Sequence, residues 1–365
     1  MISFTPTDDQ QQLIDTIRRY AVNDVRSVAH DSDEGRGFPA SVINTGWQIG
    51  LVPTAVPEAQ GGLGEMSAIT GVLAAEELAF GDLSAALQVL APALFAYPVI
   101  LYGTDAQRDR WLPNFLEEDF APASAALLEP GVFFDANDLK TTAAANGDGV
   151  RLTGVKAYVP LAADAAAMLV YARHAESGRV DAYIVERGQD GVEIVEQEKL
   201  MGLRALPTYR VRLNDVRVDA AARLGGEAGI DYNALLNRGR IALAALAVGV
   251  ARASFEYARD YAKERVQFGV PIATKQAIAF MLAEMAIEVD AARLMAWEAA
   301  WKIDQGQDAT GEAYLARQYA DKAALFVTDS GVQTLGGYGF IREYPAERWL
   351  RNARGFTTFD GLAIV

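Results

Sequence analysis

Apolar residues recur at intervals of three and four along most of this chain and alternate with polar ones only in its middle third. Between Phe4 and about Ala29 the helical spacing is kept by Leu13, Ile17, Tyr20 and Ala21, and Thr5-Pro6-Thr7 followed by Asp8 and Asp9 makes a helix start. The same period predicts short helices over Ala40–Ile49 and Asp105–Leu116. It predicts long apolar helices over Met66–Phe80 and Ala85–Tyr102, the second apolar nearly all round and therefore buried. Gly50–Gly64, rich in Pro and Gly, reads as a turn region.

Around Pro122 the period changes to two. Val150–Val159, Met168–Arg173, Asp181–Glu186, Gly191–Glu196 and Tyr209–Val218 read as strands, separated by turns such as Asn146-Gly147-Asp148-Gly149. This pattern predicts an antiparallel sheet of barrel type set between helical regions. From Gly229 helices return over Tyr232–Tyr261, Lys275–Gln305 and Gly311–Leu335, with lengths that suit a four-helix bundle. The expected fold is mainly α with a central antiparallel β-barrel domain. The expected domains are a helical one over 1–120, the barrel over 121–228 and the bundle over 229–365.

Composition narrows the chemistry. The 365 residues include no Cys, which excludes disulfides, iron–sulfur ligation and thiol catalysis. Only His30 and His174 are present, too few for a His-based zinc site or a Ser-His triad. A net charge of −15 argues against non-specific nucleic-acid binding, so an anionic ligand must find a local arginine cluster. No apolar run approaches the roughly 18 residues of a membrane span. No basic segment followed by an apolar core marks a secretory signal, and the cytoplasm is the expected setting.

The stretch Gln333–Arg354 reads Q-T-L-G-G-Y-G-F-I-R-E-Y-P-A-E-R-W-L-R-N-A-R. Gly336, Gly337 and Gly339 break the preceding helix, and Pro345 starts another that carries Glu347, Arg348, Arg351 and Arg354 on its polar side. On spacing alone this is a helix–turn–helix corner with a solvated basic face. The order Q-x-x-G-G-x-G-F-x-x-E-Y-P-x-E-R-x-x-R, however, resembles the C-terminal signature of the acyl-CoA dehydrogenase family. Arg265-Val-Gln-Phe268-Gly-Val-Pro-Ile272 is by spacing a tight helix–helix connection and also resembles that family's R-x-x-F-G-x-P-I loop. The likeness spans essentially the whole chain.

The resemblance implies FAD as cofactor, an acyl-CoA thioester as substrate, a tetramer, and an electron-transfer flavoprotein as electron acceptor. It implies that Arg265, Phe268, Gln276, Gln333, Gly336 and Gly337 reach FAD held mainly by a neighbouring subunit. Arginine suits the pyrophosphate because its fork of donors matches phosphate oxygens. Asp360, in Phe359-Asp360-Gly361, falls where the family carries the Glu base of Y-E-G-T. Aspartate reaches about 1.5 Å less far than glutamate, one carbon–carbon bond. Arg240 aligns with an arginine near the family's active site and reads equally well as a helix-surface residue.

The departures from the family form a pattern. T-E-P-x-A-G-S-D has become Leu128-Glu-Pro-Gly-Val-Phe-Phe-Asp135, and W-I-T-N has become Tyr158-Val159-Pro160-Leu161. After the base, G-T-x-Q has become Gly361-Leu362-Ala363-Ile364. Leu128, Pro160, Leu362 and Ile364 cannot make the lost side-chain hydrogen bonds, at a cost of about 1–3 kcal/mol per buried group. Tyr158 and Val159 remain as flavin-side positions, and Phe133 and Phe134 would reshape the thioester entrance. Groups lent to a neighbour's flavin are kept while those holding the chain's own are lost. That split is expected of one subunit in an α2β2 heteromer with a homologous partner, a kind associated with bulky sterol or bile-acid side-chain thioesters. A homotetramer with an Asp base, a flavoenzyme like nitroalkane oxidase, and a non-catalytic scaffold subunit stay open.

Overall fold

The computed structural model describes residues 4–365. The N-terminal part is helical: α1 (Asp8–Tyr20), α2 (Arg26–Gly35), α3 (Ala40–Trp47), α4 (Leu51–Ala55), α5 (Ala68–Gly81), α6 (Leu83–Leu90), α7 (Ala93–Tyr102) and α8 (Asp105–Trp111). Thr7 caps α1 through its hydroxyl, and Gln10 returns the bond to the Thr7 backbone N–H. A π-turn over Ala21–Val25 continues α1 into α2, so the first predicted helix runs to Gly35. The predicted Ala85–Tyr102 helix is divided, because Pro92 cannot continue α6 and instead caps α7.

The middle part carries β1 (Ser124–Ala126), β2 (Thr142–Asn146), β3 (Gly149–Pro160), β4 (Ala167–His174), β5 (Val180–Glu186), β6 (Val192–Gln197) and β7 (Thr208–Val218). The five alternating segments are all strands. Strands β1 and β2 escaped sequence reading because they are short and alanine-rich, with no contrast between faces. They also change the sheet type. Both run parallel to β4, while β3, β5, β6 and β7 pair antiparallel with their neighbours. The sheet is therefore mixed rather than antiparallel. Among the described residues its edge strands β5 and β6 are not joined, so no closed barrel forms.

A buried ion pair locks β3 to the segment after β1. The Lys156 ammonium, fully buried, donates to Glu129 Oε1 at 2.8 Å and to the Leu127 carbonyl at 3.1 Å. Glu129 also accepts the backbone N–H groups of Lys140 and Thr141 at 2.6 and 2.8 Å. Burial pushes the Lys156 ammonium down to about 8. Burial raises Glu129, but the adjacent Lys156 and the donated hydrogen bonds outweigh it and hold that carboxyl below its usual range.

The C-terminal part holds α9 (Tyr232–Glu264), a two-residue-a-side hairpin of β8 (Val266–Gln267) and β9 (Val270–Pro271), then α10 (Gln276–Asp304), α11 (Thr310–Leu335), α12 (Gly337–Phe340) and α13 (Ala346–Ala353). It contributes three long helices, not four. The remaining long neighbour of α9 is α5 from the N-terminal part, and residues from Ile17 to Val365 share one core. Two stretches, Leu83–Tyr102 and Tyr232–Glu264, are long and apolar enough to cross a membrane, contrary to the sequence expectation. Of their most apolar windows 89% and 83% are buried within the protein, which makes them core helices.

The expected solvated basic face on α13 is instead a seam between parts. Arg348 is buried against Asp82 at 3.4 Å, and Arg351 pairs with Asp33 at 2.8 Å and with Glu347 at 2.5 Å. Asp82 and Asp33 come from the N-terminal helical part, a placement that helical periodicity cannot reveal, whereas Glu347 lies one turn earlier on α13 itself.

Glu129→Leu would leave the Lys156 ammonium buried without a countercharge, with only the Leu127 carbonyl to receive it. It is expected to lower the free energy of unfolding by about 3–5 kcal/mol in urea titration.

Candidate active site and an open arginine–glycine surface

Asp360 is only 7% exposed. The chain reaches it through a tight path: Gly355 at φ 75°, a 3₁₀ turn over Phe356–Thr358, and Gly361 at φ 87°. A Cβ on Gly361 would lie 2.7 Å from the Leu127 Cβ, so glycine is required there for conformation and for space. The tail is clipped to α11, where Arg317 Nε donates to the Thr357 carbonyl at 2.7 Å and the Thr357 hydroxyl meets Asp321. Arg317 Nη2 lies 3.3 Å from Asp360 Oδ1. Beyond Asp360, Leu362–Val365 are buried, and Arg238 donates to the Val365 carbonyl at 2.8 Å.

Burial raises the Asp360 carboxyl above its ordinary range. Arg317 and then Arg240 pull it down, Asp135 pushes it up, and the balance stays raised. A carboxyl so placed has increased basicity, as a proton-abstracting group needs. Arg240 is half-buried near Asp360 and donates to Asn237 Oδ1 at 3.3 Å, so it is not an ordinary surface residue.

Beside Asp360 lies a cavity of about 30 Å³ lined by Leu94, Leu127, Tyr171, Tyr232 and Leu235. That is room for about two waters. Larger clefts elsewhere, of about 550 and 620 Å³, include neither Asp360 nor any of the residues expected to bind cofactor or substrate, although Ile364 lines the second. Burial pushes both tyrosine hydroxyls upward, so they stay protonated. The Tyr232 hydroxyl is spent on the Ala136 carbonyl at 2.6 Å.

An aromatic pair adjoins the base. Phe359 stacks on Tyr158 with centroids 4.6 Å apart and planes 10° from parallel. Tyr158 sits at φ 54°, and its N–H donates to Glu198 at 2.6 Å. Val159 is different: its side chain is buried in the sheet core, so only its backbone could meet a ligand. Phe134 packs into the core shared by α7 and β4 while Phe133 is 96% exposed, so only Phe134 narrows the interior.

The remaining sequence-selected residues gather elsewhere. Phe268 and Gly269, both at positive φ, form the tip of the β8–β9 hairpin, and Phe268 is 92% exposed. Gln276, Gln333, Gly336 and Gly337 are exposed as well. The Arg265 guanidinium lies 5.2 Å from the Tyr338 ring centroid, which joins the hairpin to the glycine corner. Of the three corner glycines only Gly336 has positive φ, at 60°. Gly339 is needed for space, since a Cβ would run into the Val332 carbonyl. Around Gly336 and Gly337 an added Cβ would meet nothing, so the surface is open to a close approach. None of these residues contacts Asp360 by a hydrogen bond, ion pair or ring contact among the described residues.

A flavin dinucleotide fits this division. The outward set supplies an arginine that has no carboxylate partner among the described residues, two exposed amides and bare glycine backbone, as a pyrophosphate requires. The inward set offers an aromatic face at Tyr158 with hydrocarbon at Leu128, Pro160, Leu362 and Ile364. Sequence reading missed Arg317, Tyr171 and Tyr232. For Arg317 a signal existed: it is a cation directly after Ala316 in the buried alanine stripe Ala313, Ala316 and Ala320 of α11.

The sequence matches three family descriptions in register: Acyl-CoA dehydrogenase, N-terminal domain over residues 7–119, middle domain over 124–216 and C-terminal domain over 229–363. It is 33% identical over 361 residues to the mitochondrial short-chain specific acyl-CoA dehydrogenase of Bos taurus, covering 97% of this chain and 87% of that protein. It is 34% identical over 363 residues to an acyl-CoA dehydrogenase of Bacillus subtilis, covering 97% and 95%. The butyryl-CoA dehydrogenase structure from Megasphaera elsdenii superposes with a TM-score of 0.90 at 30% identity, covering 100% of this chain and 96% of that one.

Because the folded pKa of Asp360 is raised above its unfolded value, its stability contribution is complete below the ordinary carboxylate range and is lost as pH rises through the raised value. Asp360→Asn is therefore expected to raise the thermal midpoint near neutral pH and to leave it nearly unchanged at about pH 4. Scanning calorimetry at the two pH values checks the sign.

Proposed function

The chain belongs to the acyl-CoA dehydrogenase family, and on that premise we propose that it catalyses FAD-dependent α,β-desaturation of an acyl-CoA thioester with Asp360 as the base. The observation that carries this reading is the buried, proton-hungry Asp360 carboxylate, held on a glycine turn between an apolar cavity and the Tyr158–Phe359 rings. When bound, FAD supplies the two-electron acceptor for the hydride that leaves the β-carbon. Asp360 takes the α-proton, and the burial that raises its pKa increases its driving force for doing so. Leu94, Leu127 and Leu235 exclude water from the reacting carbons. Arg265, Phe268, Gln276, Gln333, Gly336 and Gly337 would hold the dinucleotide of a neighbouring subunit.

We propose further that the neighbour is an unlike, homologous subunit. Two features support this. The outward donors are intact while the inward positions are hydrocarbon, and α10 exposes a heptad-spaced stripe of Phe280, Ile287 and Leu294. The small cavity closed by Tyr171 and Tyr232 favours a compact acyl group and gives the bulky sterol-type thioester no support.

Two measurements test these readings separately. Asp360→Asn in the flavin-loaded enzyme should lower turnover of butyryl-CoA by about 10²–10⁴-fold, and unchanged turnover would remove Asp360 from catalysis. Purified alone, the wild-type chain should carry well under one FAD per subunit and should gain flavin when co-expressed with a homologous partner. A homomer with one FAD per chain would sink the heteromeric reading and leave the dehydrogenase reading standing.

A further inference from the structure

We infer that Arg317 is a positioning residue for Asp360, holding the carboxylate at the apolar cavity by charge without tying it in a hydrogen bond. The inference rests on reading Asp360 as the base. Arg317 is half-buried, Asp360 is buried and the two lie 3.3 Å apart, yet the pair lacks hydrogen-bond geometry, and the Asp360 carboxylate takes part in no hydrogen bond among the described residues. The guanidinium is anchored instead to the backbone that carries the base, through Nε to the Thr357 carbonyl at 2.7 Å. One turn further along α11, Asp321 holds the Thr357 hydroxyl. The arginine and the base are thus fixed to one another by the same short segment of tail.

The groups facing Asp360 come from three sides. Arg317 approaches from α11, Arg240 and Tyr232 from α9, and Asp135 from the connection between β1 and β2. Tyr232 has one proton to donate and gives it to Ala136, so it cannot stabilise the carboxylate. Asp135 opposes ionisation. Arg317 and Arg240 are the groups that favour it, and Arg317 is the one placed within ion-pair distance.

The chemical consequence follows from what a base must do. Buried among Leu94, Leu127 and Leu235, a lone carboxyl would remain protonated and could accept nothing. A hydrogen bond to the carboxylate would keep it ionised but would fill one of its acceptor sites and lower its basicity further. A cation at ion-pair distance favours the charged form while leaving those acceptor sites available. The short aspartate side chain makes such fixed placement more important, because it has less reach to correct an error.

The test uses three variants. Arg317→Gln keeps a donor for the Thr357 carbonyl but removes the charge, Arg317→Lys keeps the charge, and Asp360→Asn is the control. In the flavin-loaded enzyme the acid limb of kcat/KM for butyryl-CoA should move up by about one pH unit in Arg317→Gln, a tenfold loss below the limb, and stay near wild type in Arg317→Lys. In the protein without FAD, the carboxyl infrared band that disappears in Asp360→Asn should titrate with the same upward displacement. If that band titrates alike in wild type and Arg317→Gln, the inference is overturned. If Asp360→Asn keeps full turnover but the band moves as expected, the electrostatic pairing stands and the reading of Asp360 as the base is what fails.

Discussion

The architecture depends on how closely α9 approaches its neighbours. Gly249 faces the Glu76 carbonyl of α5, and Gly331 of α11 faces Ser254 of α9; a Cβ at either glycine would collide. Along α9 the run Ile241–Ala247 is completely buried, mostly alanine and leucine. Small residues let three helices from two parts of the chain pack as one core, and dispersion across that contact replaces water on every side of α9. Arg240 leaves the same helix toward Asp360, so the packing that builds the core also places one wall of the candidate site.

Close packing imposes an electrostatic cost, which the structure meets by pairing. Glu76 of α5 takes Arg252 from α9 at 2.5 Å and Arg293 from α10 at 3.0 Å, and Asp33 takes Arg351 from α13. Buried pairs of this kind are weak evidence for net stability but strict about geometry, since an unpartnered charge there is expensive. Arg265 differs from all of them. Among the described residues no carboxylate lies within ion-pair distance of it, and it rests against an aromatic ring at an open surface. In a chain of net charge −15, an arginine left without an acid is available for an anion from outside.

The site thus has two ends built on opposite principles. At Asp360 the chain closes in, with Gly361 pressed on Leu127, the tail pinned by Arg317 and Arg238, and hydrocarbon around a single carboxylate. At the hairpin and glycine corner it opens out, with Phe268 displayed and bare backbone at Gly336 and Gly337. The closed end sets proton affinity; the open end offers directional donors to another molecule. The proposed sharing of a dinucleotide between subunits would use both, at different surfaces of each chain.

Much of this was legible in sequence because it is local. Five strands showed their alternation, the long helices showed their period, and the Gly-Gly-x-Gly and R-x-x-F-G-x-P-I strings mark backbone conformations that few other residues adopt. Asp360 and the open arginine–glycine set were nameable for the same reason: each lies within a short string with its own turn chemistry. What sequence could not supply were the relations between distant segments. Strands β1 and β2 join β4 in parallel although their alanines carry no pattern, and α5 completes the packing around α9 from some 160 residues upstream. Asp82 and Asp33, which pair with Arg348 and Arg351, lie in the N-terminal helical part, and Arg317 meets Asp360 across 43 positions. Turn and period are properties of neighbouring residues, whereas burial, ion pairing and proton affinity depend on whatever the tertiary fold brings within a few ångströms, which no window along the chain contains.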